Sequence, residues 1–81
     1  MRDKFIVRVD GLAVGVRVDS DTRVVIGGKV GAYEEMVKLA TSYGRIIDAH
    51  NDGGRVRLTV ETTSRVKVQG ERVSSFRRLI S

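Results

Sequence analysis

Lys4-Phe5-Ile6-Val7-Arg8-Val9-Asp10-Gly11-Leu12-Ala13-Val14-Gly15-Val16-Arg17-Val18 is the stretch that decides the fold. Its apolar residues fall on alternate positions, Phe5, Val7 and Val9, then Leu12, Val14, Val16 and Val18, which is the period of strands with one buried face. Asp10-Gly11, between the two runs, accepts positive φ and suits a two-residue hairpin turn. Asp19-Ser20-Asp21-Thr22 is turn chemistry, and a third strand follows near 23–27 with Val24 and Ile26 on one face. From Gly31 the period becomes helical, to about 43. Tyr33, Met36, Val37, Ala40 and Tyr43 form the apolar stripe, Glu34, Glu35, Lys38, Thr41 and Ser42 the polar one, and Gly44 supplies the stop.

Shifting the chain by 42 residues lays its second half over its first. Asp10-Gly11 falls on Asp52-Gly53, Val14 on Val56, Val18 on Val60, Arg23-Val24 on Arg65-Val66 and Gly28 on Gly70. The shared pattern is V-x-V-[DE]-[ST]-x-[TS]-R-V-x-[IV]-x-G, in which turn residues match as well as strand residues. The expected architecture is therefore α+β, an antiparallel meander plus helix in duplicate (βββα-βββα), with the helices covering one sheet face. The second unit would place strands near 45–49, 55–61 and 65–69 and a short helix near 73–80. With 81 residues the chain allows one domain, 1–81, in which the halves 1–43 and 44–81 share a core.

Composition narrows the function classes. Fifteen Lys and Arg against ten Asp and Glu give a formal charge of +5, with 41% hydrophobic and 31% charged residues, an ordinary globular balance. The longest apolar runs fall far short of the ~20 residues that span a bilayer, so no membrane partner is expected. The first residues alternate charged with apolar and do not read as a secretory signal. The chain has no cysteine, which removes disulfides and thiolate chemistry and fits a cytoplasmic protein.

The charge is sided. With Phe5, Val7, Val9, Leu12, Val14, Val16, Val18, Val24, Ile26, Ile47, Ala49, Val56, Leu58, Val60, Val66 and Val68 turned inward, alternation turns Lys4, Arg8, Arg17, Arg23, Arg55, Arg57, Arg65 and Lys67 outward, opposed mainly by Asp48 and Glu61. A basic sheet face left free by the helices meets something anionic. Arg77 and Arg78 on the terminal helix would extend it. Ile6, Ala13, Gly15 and Val25 are turned outward among these cations, as an apolar patch that would serve either as a platform for bases or as the centre of a homodimer contact. All four aromatic residues are expected inward or on helix stripes.

Gly27-Gly28-Lys29-Val30-Gly31 links a strand to a helix start, where the backbone amides of Gly28, Lys29 and Gly31 would form a phosphate loop. A Walker loop is excluded, because Val30 follows Lys29 and Arg23 stands five residues before Gly28. Gly28-Lys29-Val30-Gly31 does resemble the G-x-x-G of KH domains, and Arg65 to Ile80 resembles their final strand and helix; the resemblance implies a clamp on a nucleic-acid backbone. The chain departs from that family where Val24-Val25-Ile26, β-branched, stands in place of a helix. A meander followed by a helix, in two copies, is similar to the architecture of whirly and PUR-type single-stranded nucleic-acid binders, which have four strands per unit where three are read here.

No residue set points to a reaction. Asp48 to Gly53 has the outline of a calcium loop, but its third position is His50 and its twelfth is Thr59. His50 is the only histidine, so one chain holds no multi-histidine metal site and His50 reads as a hairpin residue. The Ser and Asp residues lie in turns, and no carboxylate pair is isolated in apolar surroundings. No enzyme activity, metal or small-molecule cofactor is expected. The expected function is a basic nucleic-acid-binding protein that contacts phosphates of RNA or single-stranded DNA, with little sequence specificity, through Arg8, Arg17, Arg23, Arg55, Arg57, Arg65 and Lys67. The alternative is a non-enzymatic oligomerisation or protein-interaction module.

Overall fold

In the computed structural model, residues 3–63 and 71–73 are described. β1 (Asp3–Val9), β2 (Leu12–Ser20) and β3 (Arg23–Lys29) form the expected meander. A 3-10 turn, Val30–Ala32, leads into helix α1 (Tyr33–Tyr43), and β4 (Gly44–Asp52) and β5 (Arg55–Thr62) follow as a second hairpin. A three-residue strand, β6 (Glu71–Val73), pairs with β1. All pairings are antiparallel, and the strand order is β4-β5-β3-β2-β1-β6.

The two-residue turn after β1 forms as its chemistry predicts, with Asp10 at φ 50° and Gly11 at φ 84°. Asp10 tolerates that backbone, and its carboxylate accepts a 2.9 Å hydrogen bond from Lys38 Nζ, tying the turn to the helix. The second turn differs from the expected one. Gly53 (φ 58°) and Gly54 (φ 92°) form it, one residue beyond Asp52-Gly53.

One helix covers one face. Met36 and Ala40 are fully buried, with Ala32, against Val7, Val14 and Val16 of the first hairpin, Val24 and Ile26 of β3, and Val56, Leu58 and Val60 of β5. Gly28 belongs to this core. A Cβ there would stand 3.3 Å from Met36 Sδ, so the glycine gives the thioether its space. Thr62 is 4% exposed; its hydroxyl donates to the carbonyl of Asp21 and its N–H to that of Thr22, so the end of β5 is fastened to the turn before β3.

The duplicated βββα arrangement does not occur. The described residues contain one helix, and β5 has its two edges taken by β4 and β3. A third strand of a second meander has no place beside it, and β6 lies instead at the far side of the sheet, against β1. The two hairpins also turn in different registers. The first pair beyond the first turn, Val9 with Leu12, lies on the helix side, whereas the corresponding Asp52 and Arg55 lie on the open side. The strand expected at 65–69 and the helix expected at 73–80 lie outside the described residues, apart from Val73, which ends β6.

Four further positions depart from the periodic pattern. Leu12, beside the first turn, is 42% exposed and Ala49, on the edge strand β4, is exposed, although both were expected inward. Tyr33 was expected on the buried stripe and is 45% exposed, because the 3-10 turn rotates the helix start and leaves Ala32 as the buried residue there. Ile47 was expected inward and is 41% exposed, because a β-bulge between Ile46 and Asp48 inserts it as the unpaired residue; Ile46 packs on the core instead.

Gly44 ends the helix as expected, for a different reason. Its φ of 170° is ordinary extended backbone, but a Cβ would collide with the Glu61 carbonyl oxygen and stand 2.9 Å from Thr62 Cα. Gly44→Ala should therefore lower stability by on the order of 1–3 kcal/mol in urea unfolding, by forcing β4 away from β5. Tyr43, half-buried at the helix end, has its hydroxyl pKa raised above the ordinary 10.0 by desolvation. Its folded pKa exceeds the unfolded one, so this contribution is complete below 10.0 and is lost as pH rises through the folded value. Tyr43→Phe should flatten the alkaline fall in melting temperature between pH 9 and about 11.

Candidate functional site

The face opposite the helix is read off the strand register, because directly paired residues point to the same side. One row across it runs His50, Arg57, Gly27, Gly15, Ile6, from β4 to β1. The next runs Asp48, Thr59, Val25, Arg17, Lys4, and on the other side Asp52, Arg55 and Lys29 stand in line. A further row holds Arg45, Glu61 and Arg23, with Arg45 Nη2 3.4 Å from Glu61 Oε1.

A concavity of about 420 Å³ lies at the middle of this face. Gly15 and Gly27 stand in it side by side on neighbouring strands. Lys4 and Arg17 border it from β1 and β2, and Arg55 and Arg57 from β5, with His50 and Asp52 at the β4 side. Arg17 Nε donates to Asp19 Oδ1 at 2.9 Å, which orients the guanidinium on its strand. The Arg45–Glu61 pair is exposed and the Arg17–Asp19 pair part-buried. Glu61 pairs with Arg45 at one end of the face, and the trough, with Lys4, Arg17, Arg55 and Arg57 set against Asp52 and the Asp19 bound to Arg17, keeps a cationic excess.

Of the residues expected to contact phosphate, Arg17, Arg55 and Arg57 come together around the trough. Arg8 is exposed on the same face, paired with Ala13, and Arg23 lies in the row with Glu61, both outside the concavity. Arg65 and Lys67, with Arg77 and Arg78, lie outside the described residues. Lys4 was expected on the basic face; Gly27, His50 and Asp52 were not foreseen as trough residues. Gly27 was within reach, since it stands two residues beyond Val25 on the same strand. His50 and Asp52 were within reach too, since the alternation that turns Ala49 inward turns them outward with Asp48.

The proposed phosphate loop has a different structure. Gly28 is a buried residue of β3 facing Met36, Lys29 is the exposed end of that strand, and Gly31 lies within the 3-10 turn. Gly28 to Gly31 thus crosses from strand to turn with no open loop, unlike the G-x-x-G clamp it resembles. The topology also departs from the whirly and PUR-type pattern, since two strands follow the helix and join the sheet beside β3.

The apolar patch is changed as well. Ile6, Ala13, Gly15 and Val25 do share the open face, but Val25 is only 8% exposed although it stands apart from the helix-side core. Its cross-strand neighbours Arg17 and Thr59 flank it, and a long arginine stem covers such a site while its head stays in water. The large exposed apolar side chains are elsewhere: Leu12, Val30 and Tyr33 near the helix start, and Ile47 on the bulge.

Among the described residues no three His, Cys, Asp or Glu side chains gather where a metal ion would be held, and no helix is long and apolar enough to cross a membrane. Compared with protein-family models, characterised proteins and solved structures, the chain matches none.

Because Val25 is already covered within one chain, Val25→Asp should bury an unpaired carboxylate and lower stability by on the order of 2 kcal/mol or more at neutral pH. Chemical denaturation measures it. An unchanged midpoint would mean that Val25 is free surface.

Proposed function

We propose that the protein binds nucleic acid through the open sheet face, with phosphates of RNA or single-stranded DNA on Arg17, Arg55 and Arg57, assisted by Lys4 and Arg8. The observation that supports this reading is the trough itself, a concavity bordered by four cations from two sides of the sheet. Low walls of guanidinium groups suit phosphate oxygens, to which arginine presents a planar fork of donors. The contacts are to backbone, so the binding has little sequence specificity. A single strand or an RNA loop fits better than duplex DNA, because the cationic face is built of strands and α1 lies on the opposite side of the sheet. The activity is binding without catalysis, in the cytoplasm, where such ligands are met.

The same surface supports a second reading, a homodimer contact over Ile6, Ala13 and Gly15. The low exposure of Val25, 8%, removes the centre of that contact and weighs toward nucleic acid.

Phosphate neutralisation fixes the test. Anisotropy titrations of labelled single-stranded RNA and DNA across a salt series should give a log-affinity against log-salt slope of roughly −0.7 for each phosphate contacted, or −0.9 on duplex. The Arg17→Ala and Arg57→Ala substitutions should each flatten that slope by about one contact. A slope near zero for the unsubstituted protein would overturn the proposal.

A further inference from the structure

Gly15 and Gly27 are not accounted for by the fold. Both stand within their strands, opposite each other as the last pair of the β2–β3 ladder, while the registers of β2 with β1 and of β3 with β5 run past them without a shift. Neither has positive φ, which among the described glycines belongs to Gly11, Gly53 and Gly54. Nor is there a shortage of room. A Cβ on Gly15 would lie 3.4 Å from the Gly27 carbonyl oxygen, and one on Gly27 would lie 3.8 Å from that of Val56, both ordinary contacts. Gly44, by contrast, has no room for a Cβ, and Gly28 has little.

Glycine inside a strand weakens it, and its recurrent uses are a bulge, a sharp bend, or a place where a ligand or another backbone comes close. The unshifted registers toward β1 and β5 exclude the bulge. Close approach from the open side fits their place, since the pair lies where β2 and β3 part, in the trough among Lys4, Arg17, Arg55 and Arg57. The trough's 420 Å³ falls within the size of small-ligand sites, about 300–1,000 Å³.

We propose that this trough holds one unpaired nucleotide of a bound single strand. Its base lies flat on the bare peptide planes of Gly15 and Gly27, and its flanking phosphates meet Arg17 on one side and Arg57 on the other. This rests on the nucleic-acid reading above and adds a base subsite to it. No side chain rises from Gly15 or Gly27, and the neighbouring Val25 adds an apolar border, so a planar ring over the pair reaches the backbone at van der Waals distance. The guanidinium planes at the border take the stacking part that aromatic side chains have in other single-strand binders. A base within a duplex is covered by its neighbours and cannot reach the floor without being flipped out.

The experiment compares a labelled homothymidine strand with a labelled duplex, by anisotropy at one moderate salt concentration, for the unsubstituted protein and for Gly15→Val, Gly27→Val, Gly15→Ala and Gly27→Ala. The Val variants should bind the single strand about tenfold more weakly or worse, the loss of one stacked base. Duplex affinity and the salt slope should be unchanged, because every cation remains. Thermal melts check the fold. The Ala variants should melt at or above the unsubstituted protein and still weaken single-strand binding, so they decide the matter if a Val variant fails to fold. Single-strand affinity unchanged in all four variants would overturn the base subsite and leave the phosphate reading standing. Equal losses on single strand and duplex would also overturn it. Binding of neither nucleic acid by the unsubstituted protein would overturn both readings. Self-association in sedimentation that Gly27→Val abolishes would instead identify the trough as a contact between two copies of this chain, and the nucleotide subsite would fall.

Discussion

The pairing of β3 with β5 is the constraint on which the rest of the structure depends. Seven residue pairs, from Arg23 with Glu61 to Lys29 with Arg55, join the first meander to the second hairpin. On one side this ladder sets Val24 and Ile26 beside Val60 and Leu58, under the helix, and so completes the core. On the other it sets Gly27 beside Arg57, bringing the β5 arginines to the edge of a trough whose other Lys and Arg residues, Lys4 and Arg17, belong to β1 and β2. One ladder thus makes both the core and the trough. If β5 paired elsewhere, Arg55 and Arg57 would have no common ground with Lys4 and Arg17.

The first hairpin could be read from the residues because both of its signals are local: alternation over Phe5 to Val9 and Leu12 to Val18, and turn chemistry at Asp10-Gly11. The sidedness of Lys4, Arg8, Arg17, Arg55 and Arg57 follows from the same alternation. The β3–β5 ladder leaves no local signature, since a strand that pairs far along the chain looks the same as one that pairs with its neighbour. The apparent repeat arises from this. Two hairpins that each bury one face and turn on glycine need Val at alternate positions and a Gly-rich pair between them, whatever their ancestry. Ile46-Ile47 was ambiguous for a related reason: two adjacent apolar residues do not say which one a bulge will expel, although either choice leaves His50 and Asp52 on the open side.

The glycines divide into kinds that the sequence does not distinguish. Gly11, Gly53 and Gly54 answer to backbone φ, Gly28 and Gly44 to the nearness of Met36 and Glu61, and Gly15 and Gly27 to neither. Each of the last two sits where a residue with a side chain would stabilise a strand by about 0.5–1 kcal/mol over glycine. In a domain of this size, with one helix on one sheet among the described residues and without disulfides, such a concession is a sizeable part of the margin.

The separation along the chain of the strands that meet at the middle of the sheet also sets an order of events in synthesis. Gly27 and Arg57 are thirty residues apart, with the helix and β4 between them. Until β5 has left the ribosome, the outer edge of β3 is an open row of backbone donors and acceptors, carried by Val24-Val25-Ile26, a β-branched stretch without charge. The nascent meander is therefore at its most adhesive just before completion. The acidic first turn of the helix and the exposed Lys29 that flank this edge are the charges nearest to hand to keep other chains away from it.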